Sequence, residues 1–258
     1  MNAPRDWSAP PAQRPRGRKA IHPLHAFKRF KRRYFKPLKR RFSPWRTVRY
    51  GDIRVHYKKH LDGGGTYFGQ DFIPLLASRG MPMQDHAFEW CAGPGFIGLS
   101  MLANGLCRNL TLADINPQAV EACRRTIAGN GLAGRVAAYE SDNLKDIPTS
   151  EQWDLVVSNP PHFNDEYFED ELRAHDPGWR LHREFLATVG RHLKSQGVVV
   201  LQENNHGSTV DTFRQMIAVA GLKIVFEHGA SPQLTPDHRF FYIGIMHKNA
   251  TPPVWANG

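Results

Sequence analysis

The chain has 258 residues, 41% hydrophobic content and a formal net charge of +10. That length suits one α/β domain with an extension, and the absence of an uninterrupted apolar run of about 18 residues argues against a membrane-spanning helix. No signal-peptide apolar segment follows Met1. Cys91, Cys107 and Cys123 lie in or beside expected core elements without metal-ligand spacing, which points to a reduced, cytoplasmic setting with buried thiols and no metal.

The charge is uneven. Residues 1–50 hold 16 of the 34 Lys/Arg and one acid, Asp6, for a net of about +15; the other 18 basic residues face 23 acids, for about −5. A basic arm on a mildly acidic domain suits an anionic partner, either nucleic acid or a membrane surface. Residues 1–20 are rich in Pro, Arg and Ala without periodicity and read as disordered. An Arg-rich start also fits a transit peptide, but Pro4, Pro10, Pro11 and Pro15 oppose the amphipathic helix it needs. Across 23–42, Leu24, Phe27, Tyr34, Leu38 and Phe42 recur at helical steps among Lys and Arg, interrupted by Pro37. The functional readings are RNA or ribosome contact through residues 14–49 and, second, an anionic membrane surface. The structural alternative is a helix packed on its own domain.

Residues 47–60 alternate as a hairpin around Gly51-Asp52. His56 and His60 stand four apart without an acid partner, a chance spacing in a strand-like stretch. A glycine-rich loop follows, then a helix through Phe72, Leu75 and Leu76 ending at Gly80; this segment, 47–85, is expected to cover a ligand. Residues 86–98 read as strand, small-residue turn and helix start. Glycine is needed where the backbone bends sharply and a ligand approaches it, and the helix start offers unpaired N–H groups. Next come a strand at 110–114 ending in Asp114, a helix capped by Asn116 with Pro117 at its first position, and a strand at 136–140 ending before Ser141-Asp142-Asn143. A strand at 153–157 leads into Ser158-Asn159-Pro160-Pro161-His162-Phe163. A helix at 178–193, a strand at 198–202, a helix at 208–219 and strands at 222–227 and 240–246 close the domain, 86–250, before a tail at 251–258. Strands alternating with helices argue for a doubly wound, mostly parallel sheet with its ligand edge at the strand C-termini.

Gly93, Gly95 and Gly98 fit the dinucleotide spacing G-x-G-x-x-G, with Asp114 on the ribose. Glu89 upstream of the glycines and Asn159-Pro160-Pro161 have no role in hydride transfer and pull away from that reading. Over residues 65–248 the sequence resembles the class I S-adenosylmethionine-dependent methyltransferases, of a seven-stranded, Rossmann-like fold. Glu89-Trp90-Cys91-Ala92-Gly93-Pro94-Gly95 is similar to their first motif, with Cys91 at the first glycine. Asn159-Pro160-Pro161-His162 is similar to the Asn-Pro-Pro-Tyr/Phe motif of the amino-methylating branch, with His162 at the aromatic slot, and residues 154–161 look most like the protein-glutamine and ribosomal-RNA guanine methyltransferases.

The resemblance implies S-adenosylmethionine as cofactor, with Glu89, Cys91, Ala92, Gly93, Gly95, Asp114, Ile115, Asp142, Asn143 and Asn159 around it. Asp114 would hold the ribose hydroxyls and Asp142 the adenine amine, while Glu89 holds the turn and reaches the cofactor's amino group through water. Asn159, Pro160, Pro161 and His162 would form the catalytic loop, with His162 and Phe163 against the acceptor. The Asn159 side-chain oxygen and the Pro160 carbonyl would draw the acceptor's lone pair out of conjugation, and prolines stiffen the loop. His162 is expected to stack or hydrogen-bond rather than act as a base. Asp114 and Asp142 also have a plain reading as strand-end caps. His175-Asp176 and the stretch Glu203-Asn204-Asn205-His206 lie near the same edge, with substrate contact as the functional reading and satisfied loops as the commoner one; the acidic run 165–171 reads as a solvated face, with contact to a cationic substrate as its alternative.

The first functional reading is an N-methyltransferase acting on a planar amide or amine of a macromolecule, either a ribosomal or translation-factor glutamine or an RNA base. A small-molecule amine methyltransferase is the second. An RNA-binding protein with an inactive methyltransferase fold is the third.

Overall fold

The computed structural model describes residues 43–61, 66, 68–164, 174–229 and 240–257. The chain divides into two units, 1–43 and 44–258. The basic stretch 1–42, most of the glycine-rich loop and the acidic run 165–171 lie outside the described residues.

Alternating residues around Gly51-Asp52 form an antiparallel hairpin, β1 (Trp45–Tyr50) and β2 (Ile53–Lys58), with Val48 opposite Val55 and Tyr50 opposite Ile53. The hairpin buries Tyr50, Ile53 and Val55 in one core with Phe72, Leu75 and Leu76 of helix α1 (Phe68–Ser78). Then follow β3 (Gln84–Trp90), α2 (Phe96–Ala103), β4 (Cys107–Asp114), α3 (Pro117–Gly129), β5 (Val136–Glu140) and β6 (Trp153–Ser158). The second half of the unit is α4 (Arg180–Val189), β7 (Leu193–Asn204), α5 (Val210–Val219), β8 (Leu222–Gly229) and β9 (Phe240–His247). At the start of α3 the Asn116 side chain accepts the Gln118 N–H at 3.0 Å, with Pro117 in the first turn.

The seven-stranded sheet has the order β5-β4-β3-β6-β7-β9-β8. β9 runs antiparallel to both neighbours and the other pairings are parallel. Strand alternation sorts the core into two layers. Ala87, Leu110 and Val198 face a layer shared with α1 and α2; Phe88, Trp90 and Val199 face one shared with α4 and α5. Between β3 and β6 the chain order reverses, so connections leave in opposite directions and a crevice opens at the strand C-termini, where such sheets bind ligands.

The largest departures from the expected boundaries lie at α4 and β7. The helix expected over 178–193 runs only over Arg180–Val189, because the chain turns at 190–192 and enters β7 at Leu193. β7 is correspondingly longer than 198–202, with an irregular register against β6 near Trp153. His60 Nε2 lies 2.7 Å from Gln118 Oε1 and the His56 N–H donates to Thr126 Oγ1 at 2.8 Å, so both histidines fasten the hairpin to α3. Among the described residues, no group of three or more His, Cys, Asp or Glu side chains is placed to hold a metal, and no helix is long and apolar enough to cross a membrane.

Candidate active site

The turn after β3 is built on backbone that favours glycine. Cys91, Gly93 and Gly95 all have positive φ, at 54°, 53° and 81°. Carboxylates hold this turn through its N–H groups. Glu89 is wholly buried beneath the start of α2 and accepts the Gly98 N–H at 2.7 Å and the Ile97 N–H at 3.3 Å, filling donors that a helix start leaves unpaired. A Cβ on Gly98 would stand 2.7 Å from Leu110 Cδ1 and 2.9 Å from Glu89 Oε2, so that position requires glycine. Burial pushes the Glu89 carboxyl up to about 8, against the pull of its two N–H bonds and with help from the nearby Asp114 charge. At the end of β4, Asp114 accepts the Gly93 N–H at 2.7 Å and the Asn116 N–H at 2.8 Å. Burial raises its carboxyl above the ordinary range despite those bonds. Next to it, Ile115 is a large apolar side chain left 62% exposed. Ala92 closes the turn, donating to the Ala113 carbonyl and accepting from the Gly95 N–H.

At the end of β5, Asn143 adopts φ 64° and donates from Nδ2 to the Leu181 carbonyl, while its buried Oδ1 has no partner among the described residues. Asp142 is half-exposed and ion-paired with Lys145.

The neighbouring loop follows β6. Ser158 pairs with Trp90 across the strands, and its hydroxyl donates to the Trp90 carbonyl at 2.6 Å. Asn159-Pro160-Pro161 therefore leaves the sheet beside the glycine turn. The Asn159 Oδ1 is buried and has no partner among the described residues. A buried acceptor left unpaired costs about 1–3 kcal/mol, so this atom calls for a donor.

His162 and Phe163 lie past the prolines. The loop carrying residues 174–176 is strapped to Phe163 by two backbone hydrogen bonds, Phe163 N–H to the Ala174 carbonyl at 2.9 Å and Asp176 N–H to the Phe163 carbonyl at 2.7 Å. That strap brings in a set of side chains not assigned to the site from sequence. The Asp176 carboxylate takes two N–H groups of the first turn of α4, from Leu181 and His182, and stands 2.7 Å from His182 Nδ1. The other ring nitrogen, Nε2, is 3.0 Å from Glu203 Oε1, and Glu203 Oε2 is 3.3 Å from His162 Nδ1. His182 and Glu203 are wholly buried. Burial opposes charge on His182, but the Glu203 and Asp176 carboxylates outweigh it and lift the imidazole to about 9. Burial likewise works against charge on Glu203, and the His182 charge with hydrogen bonds from both histidines holds it below the usual carboxylate range. Burial works against charge on Asp176 too, and its bonds from the His182 ring and the Leu181 and His182 N–H groups, with the His182 charge, hold it low. Trp90 walls this chain, stacked on Phe185 at 3.8 Å and edge-on to His182 at 5.6 Å. Gly207 lies so close beneath the His162 carbonyl and the Phe163 ring that no side chain fits there.

The sequence put Asp176 and Glu203 near this edge without a partner for either, and a carboxylate among apolar neighbours at the end of a central strand needs one. His182 gave no such sign.

A seven-stranded sheet in this order, with a glycine turn at the reversal and an Asn-Pro-Pro loop beside it, is the fold of nucleotide-cofactor methyltransferases. Residues 55–221 match the family model of the methyltransferase small domain, and the chain belongs to that family. It is 30% identical over 160 residues to the ribosomal RNA small subunit methyltransferase C of Shewanella sp. (strain MR-4), covering 62% of this chain and 41% of that protein. The chain thus spans about two-fifths of the length of that curated relative. Among solved structures, a methyltransferase from Pyrococcus furiosus superposes with a TM-score of 0.56 at 16% identity, covering 86% of this chain and 98% of that one. P. horikoshii TYW2 in complex with MeSAdo superposes at 0.54 and 11% identity, over 78% and 70%. At these identities the two structures show the fold alone.

Proposed function

We propose that this chain transfers a methyl group from S-adenosylmethionine to an exocyclic amine of a base in small-subunit ribosomal RNA. The observation that carries the reading is the buried Asn159 Oδ1, without a partner among the described residues, on a proline-stiffened loop beside the glycine turn. An amide oxygen there accepts an N–H of a planar amine and favours the geometry in which the nitrogen lone pair is free. The choice of RNA base follows the ribosomal RNA methyltransferase relative and the basic arm, residues 1–46, which suits phosphate contact through residues 14–49.

The residues of the turn fit the proposed cofactor. A Cβ on Gly93 would meet only the Leu61 carbonyl, at 3.8 Å, so the backbone there is open to close approach. Asp114 keeps free lone pairs beyond its two N–H bonds and would take the ribose hydroxyls. The exposed Ile115 offers an apolar face to a flat base, and Asp142 with the unpaired Asn143 Oδ1 would meet its amine edge. When bound, the cofactor supplies an electrophilic methyl group on a sulfonium. The protein's part is placement: the glycine turn fixes the donor end and Asn159 with the Pro160 carbonyl fixes the acceptor nitrogen, which is how an in-line displacement gains most of its rate. Glu89 acts from below by holding the first turn of α2. The setting that suits this substrate is the cytoplasm.

The test incubates the full chain and methyl-labelled S-adenosylmethionine with small ribosomal subunits from cells lacking this gene. Label in one N-methylated nucleoside of the RNA digest is expected, with Asn159→Ala binding cofactor normally while transfer falls by at least about 100-fold. Label confined to ribosomal protein, or full transfer by that variant, overturns the reading.

A further inference from the structure

Methylation of an amine leaves one proton too many on nitrogen, and neither an amide oxygen nor a peptide carbonyl is basic enough to keep it. The chain His162–Glu203–His182–Asp176 begins three residues beyond Asn159 on the same loop. An ionised carboxylate only accepts hydrogen bonds, so His182 must donate to Asp176 from Nδ1 and to Glu203 from Nε2, and is an imidazolium. Glu203 Oε2 then takes the Nδ1–H of His162, which leaves the lone pair of a neutral His162 on Nε2. Two carboxylates and one imidazolium sum to one buried negative charge, and an isolated buried charge is costly. A second imidazolium, at His162, cancels it.

We propose that His162 takes up the proton released by the acceptor nitrogen, and that Glu203, His182 and Asp176 are positioning residues that fix its tautomer and supply its counter-charge. The inference rests on the methyl-transfer reading above. In the balanced step the nitrogen lone pair forms the N–C bond and the S–C bond breaks with its electron pair left on sulfur. One N–H proton passes to His162 Nε2, so the positive charge that began on the sulfonium ends on the imidazole beside Glu203. His162 reaches this post because the loop is pinned: Gly207 sits beneath its carbonyl and Phe240 lies 5.8 Å from its ring. From β7 it faces Glu203 and from β9 the apolar Phe240; among the described residues, His175, Asp176 and His206 are the other titratable groups of the flanking loops.

Two measurements test the proposal. Nuclear magnetic resonance of the full chain with isotope-labelled histidine, assigned by the signal missing in His162→Gln, is expected to show His162 as the Nδ1–H tautomer; the Nε2–H tautomer overturns it. Single-turnover transfer to the hypomethylated subunits, followed against pH, is expected to rise on one limb to a plateau. His162→Gln, with cofactor binding by calorimetry unchanged, is expected to lose about 100-fold in rate together with that limb. Glu203→Gln is expected to lose about 10-fold and to move the limb to lower pH, since the imidazolium loses its counter-charge. A His162→Gln variant with wild-type rate, or a slower one that keeps the limb, overturns the inference and leaves the methyl-transfer reading standing. A wild-type chain that transfers nothing to the subunits overturns both.

Discussion

The two sides of the crevice are stabilised by different means. On the glycine-turn side, each carboxylate spends its oxygens on backbone N–H groups: Glu89 on Ile97 and Gly98, Asp114 on Gly93 and Asn116. On the acceptor side, side chains also hold side chains, in the run Asp176–His182–Glu203–His162, and only Asp176 takes backbone N–H groups as well, from Leu181 and His182. The first arrangement fixes a shape and carries carboxyl groups whose affinity for protons is raised. The second stores charge in a dry interior, with its carboxylates lowered and its imidazole raised. On the proposed reading, one side cradles the cofactor and the other manages the acceptor's proton, and the two tasks fall on separate strands.

The largest effect is expected where the charge is stored. His182→Leu leaves Asp176 and Glu203 buried without the cation between them, and breaking a buried ionic set in this way costs about 3–5 kcal/mol. Urea denaturation at neutral pH measures it, and the loss is expected to shrink in acid as the stranded carboxylates take up protons. Cofactor binding by the folded fraction should change little, because no Glu89 or Asp114 bond is touched. A loss below about 1 kcal/mol would mean that the set contributes nothing to the fold.

Gly98→Ala strikes the other side. Its Cβ falls 2.7 Å from Leu110 Cδ1 and 2.9 Å from Glu89 Oε2, an overpacking expected to cost about 1–3 kcal/mol and, unlike His182→Leu, to weaken cofactor binding as well. Calorimetry on both variants separates the two sides. The same contrast explains what was legible in the sequence. The turn side is local: Glu89 and its glycines lie within ten residues, and Asn116-Pro117 announces a helix by itself. Asn159-Pro160-Pro161 is also a local signal. The relay joins positions 162, 176, 182 and 203, which meet only because α4 packs on the β7 face and a backbone strap holds the loop of Asp176 to Phe163. His182 lies inside the expected helix with no local motif to mark it. The antiparallel β9 was equally hidden in an expectation of strands alternating with helices, because apolar alternation marks a strand without giving its direction.

Stability against pH should show the two sides pulling apart. Glu89 has a folded value of about 8 against an ordinary 4.5. The unfolded chain therefore releases this proton first, and stability falls as pH rises from about 4.5 to 8. His182, raised from 6.5 to about 9, gives its full contribution below 6.5 and loses it as pH rises through 9. Glu203 and Asp176, both lowered, contribute above their unfolded values and lose that contribution in acid. Glu89→Gln removes only the first of these. Its stability is expected to lie on the order of 1–2 kcal/mol below wild type at pH 5, where its amide faces one of the two N–H donors, and the decline toward pH 8 should flatten. A decline as steep as that of the wild type would assign it to another group.

The smallest effect is expected at Cys91, where the two sides meet. Burial pushes its thiol well above the usual range, and Asp114, Asp176, Glu203 and Glu89 all add to that, so carboxylates of both sides act on one atom. Its φ of 54° is left-handed, a conformation that costs a side-chain-bearing residue about 1–2 kcal/mol. Cys91→Gly relieves this strain but frees the unfolded chain by about 0.4–1 kcal/mol. The balance is a gain between about 0 and 1.6 kcal/mol, seen as a rise of at most about 6 °C in Tm, with cofactor affinity equal or tighter. A fall in Tm would mean that the packing of the Cys91 side chain against the Trp90 layer outweighs the strain in its backbone. The turn and the relay would then be joined through that side chain, and the division between them would be less complete than their hydrogen bonds suggest.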